Sequence, residues 1–299
     1  MSAPRTLPTW SLYATTIIVW GTTFLAIKYQ LGVTDPSVSV ALRFGLASLV
    51  LFALCKLRGA KLGYDLRTHF SFALLGFLTF SLAYVLIYLA ERHLPSGMVA
   101  VMYALMVFWN AFAARLIFGT PLTRKMMLAA AMGVGGVVCL FWPDLMAAGG
   151  MASSFDTKAS IAMVLVATLS SCVGNMVTTA NARKEIAVLP SSAWSMAWGA
   201  LFVAAYAWAT GVPWTFDTRP GYTLSLLYLA LFGSVAAFTA YFTLMGRVGP
   251  AKSAYVGAMN PILSVALSVV VEGYHVGPLQ FFGMLLSFAG LMLSVRARA

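Results

Sequence analysis

Residues 254–273 read AYVGAMNPILSVALSVVVEG, an apolar run without a charge before Glu272 that nevertheless holds an Asn-Pro pair, Asn260 and Pro261. Proline inside a helix removes one N–H donor and crowds the carbonyl four residues back, here that of Gly257. The run still predicts a helix, and a helix broken in this way needs polar partners, because lipid offers none to the freed carbonyl. On a helical wheel Gly257, Pro261, Ser264 and Ser268 share one face with Asn260 beside it, so the break is expected to point into a bundle.

The rest of the chain supplies the setting. Of 299 residues, 61% are hydrophobic and 9% charged, and the mean hydropathy of +0.88 lies far outside the soluble range. This composition predicts an all-α membrane protein whose surroundings are the lipid bilayer. Cys55, Cys139 and Cys172 all fall inside apolar runs, which suggests neither a disulfide framework nor a thiol metal site. The net charge of +11 is scattered through short loops, where topology explains it better than nucleic acid does, and no nucleic-acid partner is expected.

A window of about 19 residues, enough to cross ~30 Å of hydrocarbon, finds ten candidate transmembrane helices. They are 10–28, 37–56, 69–90, 95–117, 125–142, 158–181, 191–211, 223–245, 253–271 and 277–295. The first has no small-residue cleavage site after it and is expected to be a retained span rather than a signal peptide. An even number of spans puts both termini on one side. That side collects thirteen Lys and Arg residues against four (Lys28, Arg92, Lys158 and Arg219) on the other, which predicts cytoplasmic termini. Arg115 can snorkel from its helix end, whereas Arg43 lies about two turns inside its span, where an interior role and snorkelling both remain open.

A shift of 154 residues sets spans three to five on spans eight to ten. Val107 meets Pro261, Gly119 meets Gly273, and Ala129, Gly133 and Gly136 meet Gly283, Ser287 and Gly290. The small residues recur at i, i+4 and i+7, a stripe on which another helix can approach closely, in this chain or in a second copy. At the same shift DPSVSVALRFG (35–45) meets LPSSAWSMAWG (189–199). Five spans per repeat is an odd number, so the two repeats, 1–148 and 149–299, must be inverted. Inverted repeats are a transporter architecture with the site near the midplane between halves.

The runs IIVWGTTFLAIK (17–28), ALMVFWNAFAARLIFGTPLT (104–123) with MGVGGVVCL (132–140), and AYVGAMNPILSVALSVVVEG with LLSFAGLML (285–293) resemble the EamA-domain members of the drug/metabolite transporter superfamily. The resemblance implies a ten-helix inverted-repeat carrier in a bacterial inner membrane that exports amino acids or related metabolites, aromatic amino acids in one branch. This chain departs from the family at Val107, where the first repeat often has proline, and at Ser171, where the second often has tryptophan. Val107 leaves the fourth helix expected to be intact, with the hinge in the ninth at Gly257 and Pro261.

Helical spacing gives the candidate lining. Thr16, Trp20 and Thr23 share a face of the first span, and Thr168, Ser171, Asn175 and Thr178 form a polar stripe on the sixth. Phe77, Phe80, Tyr84 and Tyr88 recur along the third span. The shift sets Phe238 and Phe242 of the eighth against the two tyrosines, with Tyr241 beside them. Tyr103, Met106, Trp109 and Asn110 extend the lining on the fourth span, and Asn260 on the ninth. Such a wall of Trp, Tyr and Phe with a few amides and hydroxyls suits a small amphipathic substrate, an amino acid with an aromatic or other apolar side chain.

All eight acids lie in loops or at span ends, which predicts weak or absent proton coupling and flux down the substrate gradient. A proton-coupled exporter of drugs or other metabolites is the alternative, with Glu91 and Glu272 as its candidate carboxyls. His69, His93 and His275 have no metal-ligand spacing. GRVGPAKS (246–253) imitates a phosphate loop but has Ala251 at a required glycine. No cofactor and no enzymatic activity are expected, a membrane-embedded lipid-modifying enzyme being the remaining enzymatic alternative.

Overall fold

The computed structural model describes residues 8–119, 121–146, 155–241, 243, 244, 247 and 255–298, and Phe242 and most of 246–253 lie outside them. The described residues form helices without strands: α1 Thr9–Lys28, α2 Pro36–Leu57, α3 Leu66–Ala90, α4 Ser96–Phe118, α5 Arg124–Met146, α6 Phe155–Arg183, α7 Val188–Ala209, α8 Pro220–Tyr241, α9 Tyr255–Val271 and α10 Pro278–Arg298. Eight of them, α1 to α8, are long and apolar enough to cross a membrane. The apolar stretches of α9 and α10, Met259–Val271 and Pro278–Ser294, are shorter. Large apolar side chains such as Ile18, Leu49, Leu201 and Leu285 are exposed along the helices, the expected dress of a lipid-facing surface.

Helix boundaries follow the local chemistry. Asp35 caps α2 by accepting the Ser37 N–H at 2.9 Å, with Pro36 in the first turn where its missing donor is harmless. Asp65 caps α3 through the Thr68 N–H at 3.2 Å. Gly119 ends α4 and Gly273 follows α9, both left-handed at φ 70° and 66°, a conformation that costs glycine nothing.

Two of the described helices widen to π geometry. Gly76–Ala83 in α3 and Leu229–Ala236 in α8 are π-helical, and hydropathy does not announce either. The wider turn turns backbone carbonyls toward neighbouring helices. Leu78 O accepts the Ser170 hydroxyl of α6 at 2.7 Å, and Gly233 O accepts the Trp20 indole N–H of α1 at 3.1 Å.

The expectation of an intact fourth helix is corrected. The chain turns at Ala104 and Leu105, where ψ is −19° and −20° and the Val107 and Phe108 N–H groups bond only three residues back, a 3₁₀-like tightening. α9 instead runs through Pro261 without interruption.

The stripes of α5 and α10 pack on each other within this one chain. A methyl group added at Gly136 would fall 2.4 Å from Gly283 O, and one added at Gly290 would fall 2.6 Å from Ala129 O, so only glycine lets these backbones meet. α2 lies along α7, α1 along α9, and α3 between α6 and α7.

Candidate functional site

An aromatic wall begins at Trp20. Its ring meets Phe238 at 5.0 Å and Tyr241 at 5.1 Å between centroids, while its N–H is held by Gly233 O. From Phe238 the wall continues to Phe80 (5.8 Å), Phe44 (5.1 Å) and Tyr84 (4.8 Å), joining α8, α3 and α2. These edge-on and tilted contacts suit the positive rim and negative face of each ring. Tyr103 of α4 packs on Phe24 (6.0 Å) and shares a 2.6 Å hydrogen bond with Ser171.

Arg43 settles the question its position raised: it is fully buried. Its guanidinium lies 4.7 Å from the Tyr84 ring centre and 5.1 Å from that of Phe44, Nε donates to Ser234 Oγ (3.3 Å) and Nη1 to Tyr88 OH (3.5 Å). The π turn of α8 presents Ser234 there, whose hydroxyl donates to Leu229 O five residues back. Tyr88 stands behind the wall rather than on it, completely enclosed, its hydroxyl donating to Gln30 Oε1 at 2.7 Å.

The polar stripe of α6 does face inward. Thr168 and Ser171 are buried, and Asn175 Nδ2 donates to Asn110 Oδ1 at 3.3 Å and to Met106 Sδ at 3.5 Å. Thr178 bonds back to Gly174 O (3.1 Å) in its own helix. Trp109 Nε1 and Asn260 Oδ1 are buried polar atoms that make no hydrogen bond with protein.

Gly257 comes to 3.6 Å from Val107, measured from where its Cβ would be. Pro261 departs from its expected polar surroundings: it lines a cleft of about 490 Å³ whose walls are almost entirely apolar, among them Val101, Leu105 and Phe108 of α4 and Phe281 of α10. Ser264, on the same helix, is buried and donates to Gly21 O of α1 at 2.7 Å.

A second polar cluster, which span-end counting passes over, closes one end of the bundle. Lys28 Nζ donates to the carbonyls of Glu91 and Leu94 and lies 3.6 Å from Glu272 Oε1. Glu272 also accepts the Ser96 N–H at 3.1 Å and the Ser96 hydroxyl. Glu91, just beyond α3, is completely enclosed, and neither of its oxygens is hydrogen-bonded. Burial pushes its carboxyl well above the usual carboxylate range, Lys28 and Arg43 pull it down, and Glu272 pushes it up. The sequence signal was present in part: Lys28, Glu91 and Glu272 fall on one side by span count, but hydropathy cannot show that they meet.

Among the described residues no group of three or more His, Cys, Asp and Glu is placed to hold a metal ion.

Fold and site together define a multi-pass, all-helical membrane protein with an aromatic and polar interior. The sequence profile of the EamA-like transporter family matches residues 9–142 and again 158–296, and the chain belongs to that family. It is 26% identical over 279 residues to the Escherichia coli (strain K12) protein named "Uncharacterized inner membrane transporter YedA", covering 93% of this chain and 87% of that one. Identity to "Protein PecM" of Dickeya dadantii (strain 3937) is 25% over 92% and 88% of the two chains. Identity to a "Probable amino-acid metabolite efflux pump" of E. coli (strain K12) is 24% over 93% and 92%. A solved structure titled "Crystal structure of protein" superposes with a TM-score of 0.70 over 95% of both chains at 17% identity, a likeness of fold.

Proposed function

We propose that this chain exports small amphipathic metabolites, foremost amino acids with aromatic or other apolar side chains, across a bacterial inner membrane by alternating access. The observation that carries the reading is the wall from Trp20 through Phe238, Phe80 and Phe44 to Tyr84, together with the Tyr103–Ser171 and Asn110–Asn175 pairs that join α4 to α6. Rings of this kind stack on an apolar side chain, and the hydroxyls and amides supply directional bonds to an amino or carboxyl group. Trp109 Nε1 and Asn260 Oδ1, without protein partners, are ready for a ligand in a conformation that exposes them. The names of the similar inner-membrane transporter and amino-acid metabolite efflux pump point the same way.

The carrier is read as two inverted five-helix halves, 1–148 and 149–299, with ten spans and cytoplasmic termini. Three features support that symmetry. The family profile matches twice. The π-helical stretches of α3 and α8 correspond within one residue at the 154-residue shift, and the left-handed Gly119 and Gly273 correspond at it without offset. The carbonyl of each π stretch accepts a side chain of the first helix of the other half. Gly257 and Pro261 serve as the hinge of α9, where the missing proline donor leaves a compliant point.

The decisive experiment is uptake into proteoliposomes of labelled amino acids, a sugar phosphate and a lipophilic dye. Saturable phenylalanine or tryptophan transport is expected, lost in Tyr84→Ala and Trp109→Ala and slowed, with folding retained, in Pro261→Ala. Transport of the dye alone would sink the assignment.

A further inference from the structure

We propose that Glu91 is a proton-binding site of the transport cycle, holding a proton while the Glu272 end of the bundle is closed, as here, and releasing it to water when that end opens. The inference rests on the transporter reading above.

The geometry favours the neutral form of Glu91 in this conformation. The side chain is completely enclosed and both oxygens lack hydrogen bonds, a setting that a neutral carboxyl tolerates far better than a carboxylate. The charged and titratable groups that face it are Lys28 from α1, Arg43 from α2, Tyr88 from its own helix and Glu272 beyond α9. Each cation is engaged elsewhere. Lys28 is held by two carbonyls and Glu272, and Arg43 by Ser234, Tyr88 and two rings. Arg92, the next residue, pairs with Asp35 at 3.7 Å. Glu272, fixed by Ser96, adds negative potential that further opposes ionisation.

The link between proton and gate is Lys28. When the Glu91 O–H bond breaks, the proton passes to water and the electron pair stays on the carboxylate, which then competes with Glu272 for the Lys28 ammonium. Moving Lys28 to Glu91 loosens the tie that holds α1, the start of α4 and the end of α9 together. Ionisation and opening therefore favour each other, and protonation favours closure.

Two readouts on the full chain test this. In thermal unfolding of the purified protein, the folded state keeps a proton that the unfolded chain releases above about pH 4.3, so stability falls as pH rises from there toward the raised Glu91 value. Glu91→Gln should remove that part of the slope, and Glu272→Gln should move it to lower pH by freeing Lys28. Equal slopes in wild type and Glu91→Gln overturn the proposal. If Glu91→Gln does not fold, an unmoved profile in Glu272→Gln overturns it equally.

The second readout is phenylalanine counterflow in proteoliposomes. The closing step is expected to slow about tenfold per pH unit beyond the carboxyl's midpoint in wild type, an effect flattened in Glu91→Gln and retained in Glu91→Asp. Counterflow with one pH profile in wild type and Glu91→Gln would remove the proton site and leave the carrier reading standing. Differing melting slopes with no amino acid transported would do the reverse.

Discussion

Trp20 is held at three points: Phe238 and Tyr241 meet its ring and Gly233 O takes its only donor. Because one neighbour is a backbone carbonyl of a π stretch, the indole reports on α8 as well as on the wall. Trp20→Phe keeps a ring but removes the donor to that carbonyl, and it should lower stability by about 1–2 kcal/mol in a thermal or denaturant unfolding measurement while weakening the proposed amino-acid binding only modestly. Helical spacing was enough to place Trp20, Tyr84 and Phe238 on candidate faces, since periodicity is a local property. It could not distinguish Tyr84, on the wall, from Tyr88 behind it, because the difference lies in Arg43 and Gln30, which other helices supply.

At the scale of elements, the α5–α10 seam is the most legible part of the molecule. Small residues at i, i+4 and i+7 in both stripes left open whether the partner was another chain, and the two stripes meet each other. Gly136→Leu would drive its side chain into Gly283 O and Ser287, so it should destabilise by about 3 kcal/mol or more. The check is a loss of folded protein in detergent, with Gly63→Leu, where nothing lies within 4 Å, as the harmless control. The departures from α geometry were not legible. Pro261 drew attention to α9, yet the turn formed at Ala104 and Leu105 in α4, where no proline stands. A helix bends where its tertiary neighbours hold it bent, and proline only lowers the cost of bending at one place.

At the scale of the whole molecule, inverted halves make a claim about sides. In the proposed arrangement the loop after α2 and the loop after α7 face opposite compartments. With Cys55, Cys139 and Cys172 replaced, cysteines placed at the exposed Lys61 and Thr218 should react with a membrane-impermeant thiol reagent from opposite sides, Thr218→Cys from outside intact cells and Lys61→Cys only after permeabilisation. Labelling of both from one side would refute the inversion. The twofold family match and the paired π stretches motivate that test, and neither depends on the loop charges that first suggested the orientation.

The sequence by itself determined that this chain is a helical membrane protein, where its long spans lie, which residues could line a path and where close helix contact had to occur. Those properties follow from hydropathy, periodicity and side-chain size, all of which act over a few turns of one helix. Only the tertiary structure decided which candidate residues touch, where the π turns fall, and that Glu91, a span-end acid by its position in the chain, is sealed from water among Lys28, Arg43 and Glu272. The physical reason is that burial of a charge is set by neighbours arriving from distant segments, and no window along the chain contains them.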